Sequence, residues 1–355
     1  MASFIDIKKN LPIIFKALKW HFSYYILKKG FPLIGTFQLT NICNFKCKMC
    51  NIWQNPRKNT MTFDSFRKYI DDLSEMGCCY VGLSGGEPLM IKNIEKYILY
   101  AKQKIPIVNL VTNGFLLNKG MALKLKKTNL DTISISIDAL KEKQDKIRRA
   151  EGSFDKSLDA IHNIKNYASN IQVIVNTVIS PWNIDDLPQL IKLVENFKVN
   201  QKFQPLNQHP LYDNQKVENV KWQVTPDFID KLKVIIEELK RKRNVLNSNY
   251  FLSCIPDYFQ KKNLKGLFDE DCKLGHYYCD IRENNEIYPC LNGLYAQGGL
   301  SIKKGLKKTY KSKEYKELQK KLSKCRYCQK DFQICHIEPR VIFPIRNFLK
   351  YKLIN

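Results

Sequence analysis

The chain has 355 residues, 44% of them hydrophobic, and carries 59 Lys and Arg against 34 Asp and Glu, a formal net charge of +25. That length and apolar content exclude a disordered chain and suit one large domain or a large domain with a smaller companion. The absence of any run of roughly 20 uninterrupted apolar residues excludes a plain spanning helix, and the lysine excess, spread along the whole chain, favours anionic partners without marking a nucleic-acid module.

In chain order, residues 1–33 read as a basic amphipathic extension. Leu11 to Leu27 is rich in Ile, Phe, Tyr and Trp, but Lys16 and Lys19 interrupt it and Lys28 and Lys29 close it. This pattern fits a helix lying at a membrane interface or an ordinary helix packed on the body of the protein. No short apolar run ends in a small-residue cleavage site, so a cytoplasmic protein is expected, with peripheral attachment to a membrane as an added expectation. In a reducing compartment, twelve cysteines argue for metal rather than disulfides.

From Gly35 onward short β-rich runs alternate with helical periodicity. Strands are predicted at Thr36 to Leu39, Tyr80 to Ser84, Ile107 to Val111, Thr132 to Ile137, Gln172 to Val178 and Lys202 to Leu206. Thr62 is placed to cap a helix that carries Phe63, Phe66, Ile70, Leu73 and Met76 on one face, and Gly77 follows its end. Repeated strand and helix units imply a parallel sheet with right-handed crossovers. The expected fold class is therefore α/β, a partial (β/α)6 TIM-like barrel over 34–215 with a small cysteine-rich C-terminal domain. Residues 216–250 read as a linker and a helix that Thr225 and Pro226 start and that runs to about Lys240. Residues 251–338 are dense in cysteine and short on periodic structure, and a segment of this kind usually needs metal to hold it. Residues 339–355 repeat the basic, apolar mixture through Arg340, Phe343, Arg346, Phe348, Leu349, Lys350 and Lys352.

Directly after the first predicted strand lies Cys43-Asn-Phe-Lys-Cys47-Lys-Met-Cys50. Three thiolates on one loop can hold three irons of a [4Fe-4S] cluster and leave the fourth iron open. A zinc site completed by a distant ligand is the competing reading, because zinc also favours thiolates. The CxxxCxxC run, together with Gly85-Gly86-Glu87-Pro88 after the second strand, resembles the radical S-adenosylmethionine (SAM) superfamily over about residues 35 to 210. The resemblance implies that Cys43, Cys47 and Cys50 are the catalytic cluster ligands and that Gly85, Gly86 and Glu87 meet the methionyl ammonium of SAM. Thr112-Asn113-Gly114 and Ser134-Ile-Ser136-Ile-Asp138 fall at later strand ends, where a parallel barrel places its site. By resemblance Asn113, Ser136 and Asp138 join the cofactor contacts, the last two near the ribose hydroxyls or the methionyl carboxylate, with Arg148 or Arg149 also a candidate for that carboxylate. Met49 stands where the family often has an aromatic residue on the adenine, and a thioether can pack against a purine as well.

The C-terminal cysteines are Cys272, Cys279, Cys290, Cys325, Cys328 and Cys335. The stretch from Cys272 through Asn285-Glu-Ile-Tyr-Pro-Cys290, followed by Cys325-Arg-Tyr-Cys328, resembles the auxiliary-cluster domains called SPASM and twitch. Asn285 replaces the usual Gly and also accepts a left-handed turn. The resemblance implies a second [4Fe-4S] cluster on Cys272, Cys290, Cys325 and Cys328, with Cys279 and Cys335 as alternative ligands and a four-cysteine zinc knuckle as the competing reading. Cys78, Cys79 and Cys254 have no partner at ligand spacing and are expected as buried apolar residues.

The implied activity is reductive cleavage of SAM to a 5′-deoxyadenosyl radical that abstracts hydrogen from a substrate C–H bond, with a reductase or ferredoxin-type electron donor. The basic, apolar termini favour a lipid-like or membrane-associated substrate. A ribosomally made peptide ranks second, as for a peptide-modifying maturase, and nucleic acid is not favoured. A metal-stapled binding protein without catalysis is the reading from another class.

Overall fold

The computed structural model describes residues 7–27, 29–207, 224–264, 271–290, 299–329 and 332–342. The basic tail predicted at 339–355 lies outside these from residue 343 on, as do 208–223 of the linker region.

Nine strands form one sheet: β1 (Ile34–Gln38), β2 (Tyr80–Ser84), β3 (Ile107–Thr112), β4 (Thr132–Ser136), β5 (Gln172–Ile179), β6 (Asn200–Pro205), β7 (Tyr278–Arg282), β8 (Glu286–Tyr288) and β9 (Leu300–Ser301). Thirteen α-helices are described: α1 (Ile7–Tyr25), α2 (Phe63–Met76), α3 (Ile94–Lys104), α4 (Lys119–Lys126), α5 (Lys141–Arg148), α6 (Ser153–Tyr167), α7 (Leu187–Asn196), α8 (Pro226–Arg241), α9 (Asn249–Phe259), α10 (Leu274–Tyr277), α11 (Leu306–Tyr310), α12 (Lys313–Ser323) and α13 (Ile334–Ile342). The first six strands lie side by side in chain order and pair in parallel, as the partial barrel requires.

Local chemistry accounts for the elements. The Thr62 hydroxyl accepts from the Ser65 N–H at 3.2 Å and opens α2, while Gly77, at φ +105°, closes it. Phe66, Ile70 and Leu73 on its inward face are fully buried against the sheet.

The sheet does not stop at β1. β7 pairs with β1 in parallel, in register from Ile34 opposite Tyr278 to Gln38 opposite Arg282, and β8 and β9 follow antiparallel. The cysteine-rich segment therefore extends the barrel sheet, a pairing that nothing in its local sequence announced. Inside the junction, Thr36 Oγ1 donates to Asp280 at 2.5 Å and lies 2.7 Å from the Tyr278 hydroxyl, while Arg282 pairs with Asp280 at 3.4 Å.

The C-terminal segment returns to β6 at one edge of this sheet and to β7 beyond β1. Phe332 stacks on Phe251 at 4.8 Å and on Tyr258 at 5.6 Å, and its N–H donates to Asn207 just beyond β6 at 3.0 Å. On α13, Glu338 accepts from the Ser248 N–H at 2.8 Å and offsets part of the burial cost of Lys202 on β6, while His336 meets the Tyr278 ring edge-on at 5.2 Å.

Candidate active site

The loop after β1 is clamped from several sides. The Gly86 N–H donates to Thr40 O at 2.7 Å and the Glu87 N–H to Ile42 O at 2.8 Å, so the turn after β2 lies directly against the chain leading into Cys43. Only glycine permits that approach: a Cβ on Gly86 would sit 2.1 Å from Ile42 O, and one on Gly85 would sit 2.4 Å from Thr40 O. From the third strand end, Asn113 Nδ2 donates to Asn44 Oδ1 at 2.8 Å, and Phe115 meets Phe45 edge-on at 5.5 Å. From α5, Ile147 O accepts from the Lys48 N–H at 2.9 Å. Between these clamps the loop turns on itself, with the Cys50 N–H donating to Cys47 O at 3.2 Å and the Phe45 N–H to Cys43 Sγ at 3.4 Å.

Burial governs the charge state of these groups. It pushes the Cys43 thiol up to about 11 and the Cys50 thiol up to about 12, and it raises Cys47 against the opposing charge of Arg148. Arg148 pairs with Asp138 at 2.6 Å and also donates toward Cys47, so one guanidinium joins the end of β4 to the cysteine loop. Asp138 is further held by the Val178 N–H at 2.9 Å. Glu87 is fully committed to the protein: it accepts from Thr112 Oγ1 at 2.7 Å, the Asn113 N–H at 2.8 Å and the Leu89 N–H at 3.0 Å. Its burial raises its pKa while those hydrogen bonds oppose the rise. Ser136 at the end of β4, Met49 on the cysteine loop and Arg149 just after α5 are half-buried. Thus Cys43, Cys47, Gly86, Glu87, Asn113 and Asp138 belong to one bonded constellation at the ends of β1 to β4, where a parallel barrel builds its site.

Residues 37–194 match the family described as the radical SAM superfamily. They are a radical SAM domain. The chain is 32% identical over 168 residues to the Fe-coproporphyrin III synthase of Methanosarcina barkeri, a match that covers 47% of this chain and 42% of that protein. It is 26% identical over 282 residues to the antilisterial bacteriocin subtilosin biosynthesis protein AlbA of Bacillus subtilis, covering 74% of this chain and 61% of that one. The chain thus spans less than two thirds of the length of either relative. Among solved structures, Streptococcus suis SuiB bound to S-adenosylmethionine superposes with a TM-score of 0.66 at 15% identity, covering 85% of this chain and 71% of its own, and SuiB has also been solved with its precursor peptide SuiA. That likeness establishes the α/β fold with its partial barrel.

The radical SAM superfamily uses a [4Fe-4S] cluster with SAM. The donor set suits it, because three thiols share one loop, an arginine lies beside the middle one, and the glycine turn leaves no room for side chains beneath Cys43. Among the described residues no three Cys, His, Asp or Glu side chains converge enough to hold a single metal ion. Thiolates at separate corners of a cluster stand wider apart than the ligands of one ion.

Beyond the radical SAM domain, Cys272 and Cys290 lie in one packed group with Trp20, Tyr277 and Leu322, and Cys325 packs against it. The Cys272 N–H donates to Ser323 O at 2.8 Å, which draws the two cysteine segments together. Cys328 packs with the main core. Cys279 is fully buried there beside Cys78, Tyr310 and Tyr315, whereas Cys335 lies near Tyr80 and Tyr278. Cys78, Cys79 and Cys254 are buried.

Sequence reasoning missed the seam between the two parts. Glu283, after β7, accepts from Gln38 Nε2 at 3.1 Å and from Asn41 Nδ2 at 3.1 Å, and its carbonyl accepts from Asn59 at 2.8 Å. Beside this seam opens a cavity of about 550 Å³ between residues 51–55 and the β7–β8 hairpin, lined by Gln38, Asn41, Gln54, Asn55, Arg282 and Glu283 among others. No motif marks these residues. The available signal was an arginine and an acid just before the left-handed turn expected at Asn285, on a strand whose pairing with β1 was not read.

Proposed function

We propose that this protein is a radical SAM enzyme that modifies a peptide. The observation that carries the chemistry is the clamped loop: the chain around Cys43, Cys47 and Cys50 is bonded to the glycine turn and to the end of β3, and Arg148 joins Cys47 to the end of β4. A [4Fe-4S] cluster with SAM supplies, when bound, a 5′-deoxyadenosyl radical able to take hydrogen from an unactivated C–H bond. The chain's own residues divide the remaining work. Cys43, Cys47 and Cys50 are assigned as cluster ligands; Gly85 and Gly86 keep the turn close; Glu87, Asn113 and the Asp138–Arg148 pair hold the loop and border the cofactor, with Ser136 and Met49 at its edge. Cys272, Cys290, Cys325 and Cys328 are assigned to an auxiliary cluster, supported by the packing that gathers the first three.

The peptide reading rests on the cavity beside the cysteine loop. Side-chain amides of Gln38, Asn41, Asn51, Gln54 and Asn55 line it, together with Arg282 and Glu283. Gln38 and Asn41 are bonded to Glu283, which leaves the amides of Gln54 and Asn55 to offer the donors and acceptors that a peptide backbone requires. The names of AlbA and of SuiB with its precursor peptide point the same way. The lipid-like substrate favoured by the termini has no support at this cavity.

Anaerobic reconstitution with iron and sulfide counting, followed by an assay for 5′-deoxyadenosine, tests the chemistry. Product should form and should vanish when Cys43, Cys47 and Cys50 are changed to Ala, while Cys325→Ala with Cys328→Ala leaves part of the uncoupled cleavage. Incubation with fractionated, deuterated cell extract tests the substrate. Deuterium in 5′-deoxyadenosine should follow the peptide fraction, and label arriving only from the lipid fraction would refute the peptide reading.

A further inference from the structure

We propose that the outward face of α1 is a docking surface for an anionic lipid bilayer. The inward face is fixed to the body of the protein. Trp20 is 1% exposed, its indole donates to His276 O at 3.1 Å, it stacks on Tyr24 at 4.8 Å, and Lys16 Nζ donates to Cys78 O at 2.9 Å. At about 100° per residue, Lys16, Trp20 and Tyr24 share one side of the helix, and Phe15, Leu18, Phe22 and Ile26 share the opposite side. These four are 62%, 55%, 60% and 65% exposed, and Leu27 beside them is 53% exposed. The Ile26 N–H bonds to Phe22 O at 3.0 Å, so the stripe stays continuous past the end of α1.

A helix held this way cannot roll its apolar stripe inward without losing Trp20 from the core. The stripe therefore needs an external partner, and charge selects which one. Residues 7–29 contain six lysines and no acidic residue. Lys273 adds an ammonium at the stripe's edge, 3.1 Å from the Tyr25 hydroxyl. A second copy of the chain would set like charges against each other across the stripe, whereas an anionic headgroup layer neutralises them while the acyl boundary takes the apolar residues. No described helix is long and apolar enough to cross a membrane, so α1 would lie in the interface plane. This inference stands apart from the chemistry of the cysteine loop.

Flotation of the full-length protein tests it, with vesicles of mixed phosphatidylglycerol and phosphatidylcholine beside vesicles of phosphatidylcholine alone. The expected result is capture by the anionic vesicles, roughly tenfold weaker capture by the neutral ones, and release by high salt. A variant with Leu18→Asp and Phe22→Asp, both at exposed positions, should keep the wild-type circular dichroism melt and lose flotation. Failure of the wild type to float would overturn the proposal. So would flotation that the double variant retains, or sedimentation showing a dimer that this variant abolishes.

Discussion

Gly86 sets how closely the turn after β2 approaches the cysteine loop, and its lack of a side chain is a requirement of contact rather than of dihedral angle. A methyl group there would meet the Ile42 carbonyl at 2.1 Å, and backbone on both sides leaves nothing flexible to yield. Gly86→Ala should cost about 1–3 kcal/mol by overpacking and lower iron retention, checked by urea denaturation and iron counting. Asp138 ties the end of β4 to the cysteine loop through Arg148. Resemblance placed it beside SAM, but its carboxylate is buried against Arg148 at 2.6 Å. Asp138→Asn leaves a buried guanidinium without its counter-charge and should destabilise the protein by about 3–5 kcal/mol. A variant of unchanged stability with weakened SAM binding would restore the direct contact. At this scale the cysteines, glycines, Glu87 and Asn113 were legible because their order along the chain is itself a pattern. The Arg148 contacts were not, since either Arg148 or Arg149 satisfied the spacing and only the fold shows Arg148 bonded to Asp138 and Cys47.

The helices show how far local chemistry carries. Thr62 and Gly77 begin and end α2 where capping preference puts them, and Thr225 accepts from the Phe228 N–H at 3.1 Å to open α8. All six barrel strands fall within two residues of their predicted places. The start of α6 was less visible, because its cap comes from outside the helix. Asp145, on α5, accepts from the Gly152 N–H at 2.7 Å, Ser153 Oγ at 2.8 Å and the Phe154 N–H at 3.0 Å. Burial opposes ionisation here, yet these hydrogen bonds prevail and hold the carboxyl below its usual range. A carboxyl whose folded pKa is depressed contributes stability above its unfolded value, about 3.9, and loses it as pH falls through the folded value. Asp145→Ala should therefore lower stability by about 1 kcal/mol near neutral pH, and the difference in thermal midpoint from wild type should narrow as pH drops below about 4.

Across the whole molecule the decisive feature is the parallel pairing of β7 with β1, which makes the cysteine-rich segment part of the barrel sheet. Without the chain after residue 207 β1 is an open edge, Thr36 loses Asp280, and the Phe251, Tyr258 and Phe332 stack beside β6 is gone. A chain ending at residue 207 should aggregate or unfold without cooperativity, as analytical ultracentrifugation and urea titration would show. A soluble, cooperative fragment would mean that the barrel stands alone. By itself the sequence determined the six strand and helix units, the loop of three thiolates and the glycine turn, because periodicity, capping and ligand spacing act over a few residues. Only the tertiary structure decided that β7 covers β1, that Glu283 reaches Asn41, and that Trp20 fixes α1 with its apolar stripe outward. Those contacts join residues some 240 or more positions apart, and the free energy that selects them comes from burial and pairing at a distance, which no local pattern encodes.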